Sequence, residues 1–320
     1  MNLFEHEHVN DILLRNRQIS RTIDSAMKDL ARRFTTVKGR RFARVMNKRL
    51  ALLHDHLLKI DETGIRNQWI LSNRMTNKSI DGYLAGVTVS DALIKSFRNP
   101  NLSALNAFIT RSQNGFNLSQ RVWNITDEIK SEMTDLISTG VLEGKSAIVL
   151  SKELTKYVKG RPIRYKGTLI PGKNLTFQSI RLAANEMNMA FRTSDFLQNS
   201  QLPFTTGVTV HLSAAHPRPD ICDEMQGEYP KGFEFVGWHI LCICFATYDT
   251  LPKEDFAKYI EGGKINQKFY MKGIPKRAQS YINKNGQRLL GYKNVPFWME
   301  TNFTQDLKLR QSVKIGGRAK

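Results

Sequence analysis

The sequence predicts an α+β protein. A mostly helical N-terminal two-thirds is followed by a small mixed strand and loop module with a Cys/His cluster, then by short C-terminal helices. Three observations predict this. Apolar residues recur at helical spacing from Leu3 to about Asn199. From Pro203 the pattern changes to short β-type runs between recurring prolines and glycines. All three cysteines, with three of the seven histidines, fall between His211 and Cys244.

The elements follow in chain order. Val9, Ile12, Leu13, Ile19, Ile23, Met27 and Leu30 give one apolar stripe, predicting a helix over Leu3–Phe34. A turn at Gly39 leads to a second helix from about Arg41 to Ile60, with Phe42, Val45, Met46, Leu50, Leu53, Leu57 and Ile60 on its face. A third spans roughly Ile65–Leu84. Shorter ones reach Thr110, broken by Pro100 and Gly115. Ser119–Ser138 and Ser146–Val158 read as helices. Lys159–Lys173 reads as a hairpin or exposed arm around Ile163-Arg164-Tyr165. Leu175–Asn199 is helical again. Val208–Val210 and Cys242–Tyr248 read as strands flanking a turn-rich loop, and short helices follow near Glu254–Ile260, Pro275–Asn283 and Pro296–Thr304.

Composition sets limits. A chain of 320 residues with 41% hydrophobic and 24% charged residues can bury a core and is globular. No apolar run has the length of a membrane helix. The start, Met1 to His6, has no basic region followed by an apolar core, so no signal peptide is expected. Three cysteines are too few for a disulfide framework and suit synthesis in a reducing cytosol. The net charge of +19 predicts attraction to polyanions, either double-stranded DNA without sequence preference or an acidic protein surface. Arg32, Arg33, Arg40, Arg41 and Arg44 are the candidate contacts, and Lys264–Lys320 is also basic. Such runs also serve as solvated faces or tails.

The cluster carries the chain's distinctive chemistry. Cysteine and histidine form tetrahedral zinc sites, and Cys222, His239, Cys242 and Cys244 would supply four donors from one short unit. Residues two apart in an extended chain face the same way, so Cys242 and Cys244 can share one ion. The first half offers a single thiol, with His216 or Asp220 as a substitute donor. Paired structural cysteines usually have at least two residues between them. The competing reading is three buried small apolar cysteines in an apolar strand, with no metal; the sequence by itself favours it. A Cys/His nucleophile pair lacks an orienting third group.

Other constellations read as structure. His54-Asp55-His56 and His6-Glu7-His8 place their histidines two apart on helices, where they diverge. Glu186 could orient the Cys/His loop, or serve as a surface or capping carboxylate. Trp238 reads as a core anchor, expected against the Leu175–Asn199 helix. No phosphate-cradling glycine loop, paired-carboxylate nuclease pattern or Gly-x-Ser-x-Gly elbow is present, so no enzyme is expected.

Three segments stand in a particular order. Leu118-Ser119-Gln120-Arg121-Val122-Trp123 opens a helix. Arg181-Leu182-Ala183-Ala184-Asn185-Glu186 through Arg192-Thr193 forms another. His216-Pro217, Asp220, Cys222, Gly227, Gly237-Trp238-His239 and Cys242-Ile243-Cys244 close the set. Together they resemble the Mu F-like phage head-morphogenesis proteins, minor capsid proteins of tailed phages. The resemblance covers roughly Leu118–Thr250. Two positions depart from it: Met225 stands where a Cys-x-x-Cys would have its second thiol, and Ile240 replaces the proline after the histidine. The resemblance divides the chain into a helical region, 1–115, a head-morphogenesis domain, 116–250, and a basic C-terminal extension, 251–320. It implies portal and capsid proteins as partners, and a role in capsid assembly and DNA packaging or ejection. It also implies a place in the virion, in the head interior or at the portal vertex, and in the host cytoplasm during assembly. The alternative is a sequence-independent nucleic-acid-binding protein with a zinc-knuckle-like module.

Overall fold

The computed structural model describes residues 3–34, 40–127, 130, 149, 153, 163–165, 168–170, 175–216 and 219–310. The chain forms two compact units. The first takes Glu5–Ile65 and Thr110–Met187; the second takes Arg66–Ile109 and Asn188–Lys320, with the first few residues divided between them. Among the described residues no helix is long and apolar enough to cross a membrane.

In the first unit, α1 (Leu3–Phe34) buries Ile19, Ile23, Met27 and Leu30, spaced four, four and three apart. The stripe starts later than the sequence predicts, because Val9 and Leu13 are exposed. Helix α2 (Arg40–Leu84) contributes Met46, Leu50, Leu53, Leu57 and Ile65 to cores. It is one helix of 45 residues, not the two helices expected to meet between Ile60 and Ile65. Gly64 does not break it. A Cβ there would lie 2.7 Å from the Met187 sulfur, so this glycine permits close packing. α3 (Asp91–Phe97) and nearly all of α4 (Leu102–Thr110) belong to the second unit; the first resumes at Thr110, and its α5 (residues 118–127) buries Leu118 and Val122. The predicted continuation to Ser138, the Ser146–Val158 helix and the Gly39 turn fall largely outside the described residues. The hairpin is present: β1 (Ile163–Tyr165) pairs antiparallel with β2 (Thr168–Ile170).

Helix α6 (Leu175–Gln201) begins in the first unit, where Ala183, Ala184 and Met187 are buried. Glu186 is also fully buried. It accepts from Arg111 Nη2 at 2.8 Å and from Arg121 at 2.7 and 3.1 Å. Burial opposes its charge, but the two guanidiniums outweigh this and hold its carboxyl below the usual range. Neither role expected for Glu186 is observed: it is a buried ion-pair centre. Asp61 on α2 lies in the same region. Burial first, and the Glu186 charge second, push its carboxyl well up, and its Oδ1 has no hydrogen-bond partner.

In the second unit, the later part of α2 meets that of α6 through polar contacts. Asn73 Nδ2 donates to Ser194 Oγ, Thr76 Oγ1 to Asp195, and Gln198 Nε2 to Asn77. An apolar cluster of Ile80, Leu84, Phe97, Leu202, Phe204, Leu251 and Phe256 lies at one end. The sheet has three antiparallel strands in the order β4-β3-β5: β3 (Thr205–His211), β4 (Gly227–Pro230) and β5 (Phe245–Thr250). The predicted pairing is present, with Val208 opposite Tyr248 and Val210 opposite Ala246. β5 begins at Phe245, however, so Cys242 and Cys244 precede the strand instead of lying in it. Helix α7 (Ile221–Met225) and strand β4 occupy the segment expected to be loop. Three helices complete the unit: α8 (Lys253–Ile260), α9 (Lys276–Leu290), longer than predicted, and α10 (Phe297–Asn302). Trp238 is buried among Tyr229, Phe233, Phe235 and Trp298, and its carbonyl accepts from Trp298 Nε1 at 3.1 Å.

Candidate metal centre

The centre is assembled from α7 and from the turn before β5. Asp220 caps α7. Its carboxylate accepts from the Cys222 N–H at 2.7 Å, while Asp223 accepts from the Asp220 N–H at 2.8 Å. This reciprocal capping stiffens a five-residue helix too short to persist alone. Cys222 is thereby held with its side chain inward, 1% exposed.

The second half is a tight turn. Gly237 sits at φ +109°, and a Cβ there would lie 2.6 Å from Arg192 Nη1, so only glycine fits. Leu241 adopts the left-handed region at φ +60°, and the Cys242 N–H bonds to the His239 carbonyl at 3.2 Å. A branched-chain leucine in that region costs on the order of 1–2 kcal/mol, which the surrounding turn must hold. From Leu241 to Phe245 exposure alternates: Leu241, Ile243 and Phe245 face out, while Cys242 and Cys244 are buried. The predicted common face for the two cysteines is therefore present, on extended chain.

The donors converge. The sulfurs of Cys222, Cys242 and Cys244 lie within 4.8 Å of one another, with Cys222 and Cys242 at 3.8 Å. His239 Nε2 lies 3.2 Å from Cys222 Sγ. Its Nδ1 lies 2.8 Å from the Ile240 carbonyl, which can only accept, so Nδ1 carries a proton. Nε2 then faces the Cys222 sulfur and, at 3.3 Å, Asp220 Oδ2. The Cys222 thiol can donate to that lone pair, and a metal cation could take the same lone pair instead. His216 joins differently: with Asp220 and Cys222 it forms a second group able to hold a metal, its Nε2 3.2 Å from Asp223 and 3.5 Å from Asp220. These residues could hold a metal ion.

Charge around the sulfurs is uneven. A hydrogen bond from Cys244, with the Arg192 guanidinium nearby, outweighs burial and brings the Cys242 thiol down to about 4. Burial and the neighbouring Cys242 charge push Cys222 up; the bond it gives Cys242, then burial, push Cys244 up.

Of the residues expected at a metal site, Cys222, Cys242 and Cys244 come together as one group, His239 reaches that group through Cys222 alone, and His216 groups with Asp220 and Cys222. Met225 is fully buried in α7 and packs in the core. Arg192 was not singled out from sequence as a neighbour of this loop. It donates to the carbonyls of Val236, Cys242 and Cys244 at 3.0, 2.7 and 2.7 Å. Its partners are main-chain atoms, which leave no residue-type signature; its place in the Arg181–Thr193 segment was the available signal. Of the basic candidates, Arg32 and Arg33 end α1, and Arg40 and Arg41 begin α2. Their side chains lie outside the described ones. Arg44 is exposed.

Comparison with protein-family models, curated proteins and solved structures finds no match to this chain.

Proposed function

We propose that this protein is a minor capsid, head-morphogenesis protein of a tailed phage or prophage. In this reading it docks on portal and capsid proteins through a turn braced by one zinc ion, and acts in capsid assembly and in DNA packaging or ejection. The observation that carries the reading is the outer side of the Cys/His turn. Ile240, Leu241, Ile243 and Phe245 are 54, 39, 46 and 44% exposed, four large apolar side chains within six residues. Contiguous apolar surface on a folded module suits a protein partner, whereas a nucleic-acid knuckle would present basic and stacking groups there.

Zinc suits the inner side. With Zn–S near 2.3 Å and Zn–N near 2.05 Å, a tetrahedral ion sets its sulfurs about 3.8 Å apart and a sulfur and nitrogen about 3.6 Å apart. The Cys222–Cys242 separation of 3.8 Å and the Cys222–His239 separation of 3.2 Å lie close to those edges. The ion would fasten α7 to the turn and so fix the apolar tip. The test first looks for a portal gene beside this one, which the reading expects, and then co-expresses that portal protein with this chain. Ile240→Ser with Ile243→Ser should keep the metal and abolish co-purification. Undiminished capture by the metal-loaded double variant, or no capture of portal or capsid protein by the wild type, would sink the reading.

A second reading is favoured by the net charge of +19: direct, sequence-independent contact with DNA. It is compatible with the first, since a head protein works beside packed DNA.

A further inference from the structure

The guanidinium of Arg192 is placed against the back of the Cys/His turn. Its three hydrogen bonds go to neutral carbonyls, those of Val236, Cys242 and Cys244. Among the described residues no carboxylate lies within ion-pair distance of it, and two of the carbonyls it holds belong to Cys242 and Cys244 themselves. It is partly buried, and Phe235 lies 5.1 Å from it on another side. A shielded cation without a counter-charge is costly, so the fold has reason to keep negative charge nearby. The three sulfurs are the groups positioned to carry it.

Resting on the metal reading above, we infer that Arg192 is the counter-ion of the centre and fixes its charge type. The fold is built for a divalent ion on the three grouped thiolates, with the neutral His239 that touches Cys222 as the fourth donor nearest to hand. A divalent cation with three thiolates and one imidazole carries net charge −1, and Arg192 brings the buried groups to zero; Asp220 beside them is a third exposed, and solvent screens its charge. A monovalent ion on the same donors leaves one negative charge unmatched, and a trivalent ion leaves Arg192 unmatched. Arg192 is thus a positioning residue with two separable actions. Its fork holds the Cys242 and Cys244 carbonyls, and its charge sets which ion the sulfurs accept. Gly237 is part of the same device, because any side chain there would displace the guanidinium.

The test uses the purified full-length chain and Co²⁺, whose visible and thiolate charge-transfer bands report a tetrahedral sulfur site, with Zn²⁺ competition for affinity. Wild type should bind one Co²⁺ with such a spectrum; failure to do so would refute the metal reading itself. Lysine at 192 keeps the charge and loses the fork; glutamine loses both. Arg192→Gln should weaken binding about 10–100-fold, as for other outer-sphere partners of metal ligands. Arg192→Lys should stay within a few-fold of wild type. Equal losses in both would leave only a clamp and overturn the charge role. A second arm does not depend on the glutamine variant folding. Cys244→His makes the centre neutral while keeping a competent Cys₂His₂ donor set. With Arg192 in place it should bind Zn²⁺ at least 10-fold more weakly than wild type; affinity equal to wild type would overturn the inference.

Discussion

Replacing Glu186 by glutamine should destabilise the first unit severely, for a reason that can be sized. Glu186 has 0% side-chain exposure, and its partners Arg111 and Arg121 have 6 and 14%. The amide keeps the shape and one acceptor oxygen but removes the charge that compensates two buried cations. Breaking a buried pair in this way costs about 3–5 kcal/mol. Glu224 offers the control: its pair with Arg277 is 41 and 66% exposed, and such pairs contribute at most about 1 kcal/mol. Thermal denaturation at pH 7 should show Glu186→Gln melting on the order of 10 °C below wild type, with Glu224→Gln nearly unchanged. The pH dependence sharpens the test. Glu186 has a depressed folded pKa, so its contribution is complete above the unfolded carboxyl value of about 4.3 and disappears as pH falls through the lower folded value. The gap between variant and wild type should therefore close in acid. A Glu186→Gln protein with wild-type melting at pH 7 would refute the charge-compensation argument.

Three further outcomes follow from the same reasoning. Burial raises the folded pKa of Asp61, so its contribution is complete below the unfolded value near 3.9 and is lost as pH rises through the folded one; Asp61→Asn should melt higher than wild type at pH 8 and equal it near pH 4. Burial likewise brings Asp195 up to about 7 against the bonds from Thr76 and Asn199, so wild-type stability should decline between about pH 4 and 7 at up to about 1.4 kcal/mol per unit, and Asp195→Asn should flatten that decline in denaturant titrations across the range. If the positive excess contacts DNA, binding to two unrelated duplexes should fall with salt at a log–log slope near −4 to −5 for about five phosphates, and Arg40, Arg41 and Arg44 changed together to glutamine should flatten it; absence of binding at low salt would assign the charge to a protein surface.

What could be read from the chain follows from how locally each feature is encoded. The buried stripe Ile19–Leu30 and the hairpin around Ile163–Ile170 are local patterns, and both were legible. The shared face of Cys242 and Cys244 was legible although they lie outside a strand, because alternation needs only extended chain. The break expected between Ile60 and Ile65 is absent. Gly64 in that stretch packs against Met187, 123 positions away in the sequence, and no local rule reports that distance. β4 was hidden because Gly227 and Pro230 bound it, residues that ordinarily mark turns. Arg192 was hidden because carbonyls belong to every residue. Glu186 reads from sequence as an orienter of the Cys/His loop or a surface or capping carboxylate, because its partners Arg111 and Arg121 are brought to it only by the fold.

Helix α6 touches both of the other segments singled out in the sequence. Glu186 bonds Arg121, which lies in the Leu118–Trp123 segment, and Arg192 bonds the carbonyls of Cys242 and Cys244 in the His216–Cys244 segment. The middle segment thus has one charged contact to each of the others. These two contacts are independent in geometry. Six positions on an α-helix are about 9 Å of rise and 240° of rotation, so Glu186 and Arg192 leave α6 on different faces. Their partner sets have no member in common. Substitutions at sites that far apart without shared partners add within about 0.5 kcal/mol. The double variant Glu186→Gln with Arg192→Lys should therefore lose the sum of the two single losses in chemical denaturation. It should bind Co²⁺ as Arg192→Lys alone does. A coupling well beyond 0.5 kcal/mol, or metal affinity that responds to Glu186→Gln, would show that the two contacts form one network and that the Cys/His turn is governed from further away than Arg192.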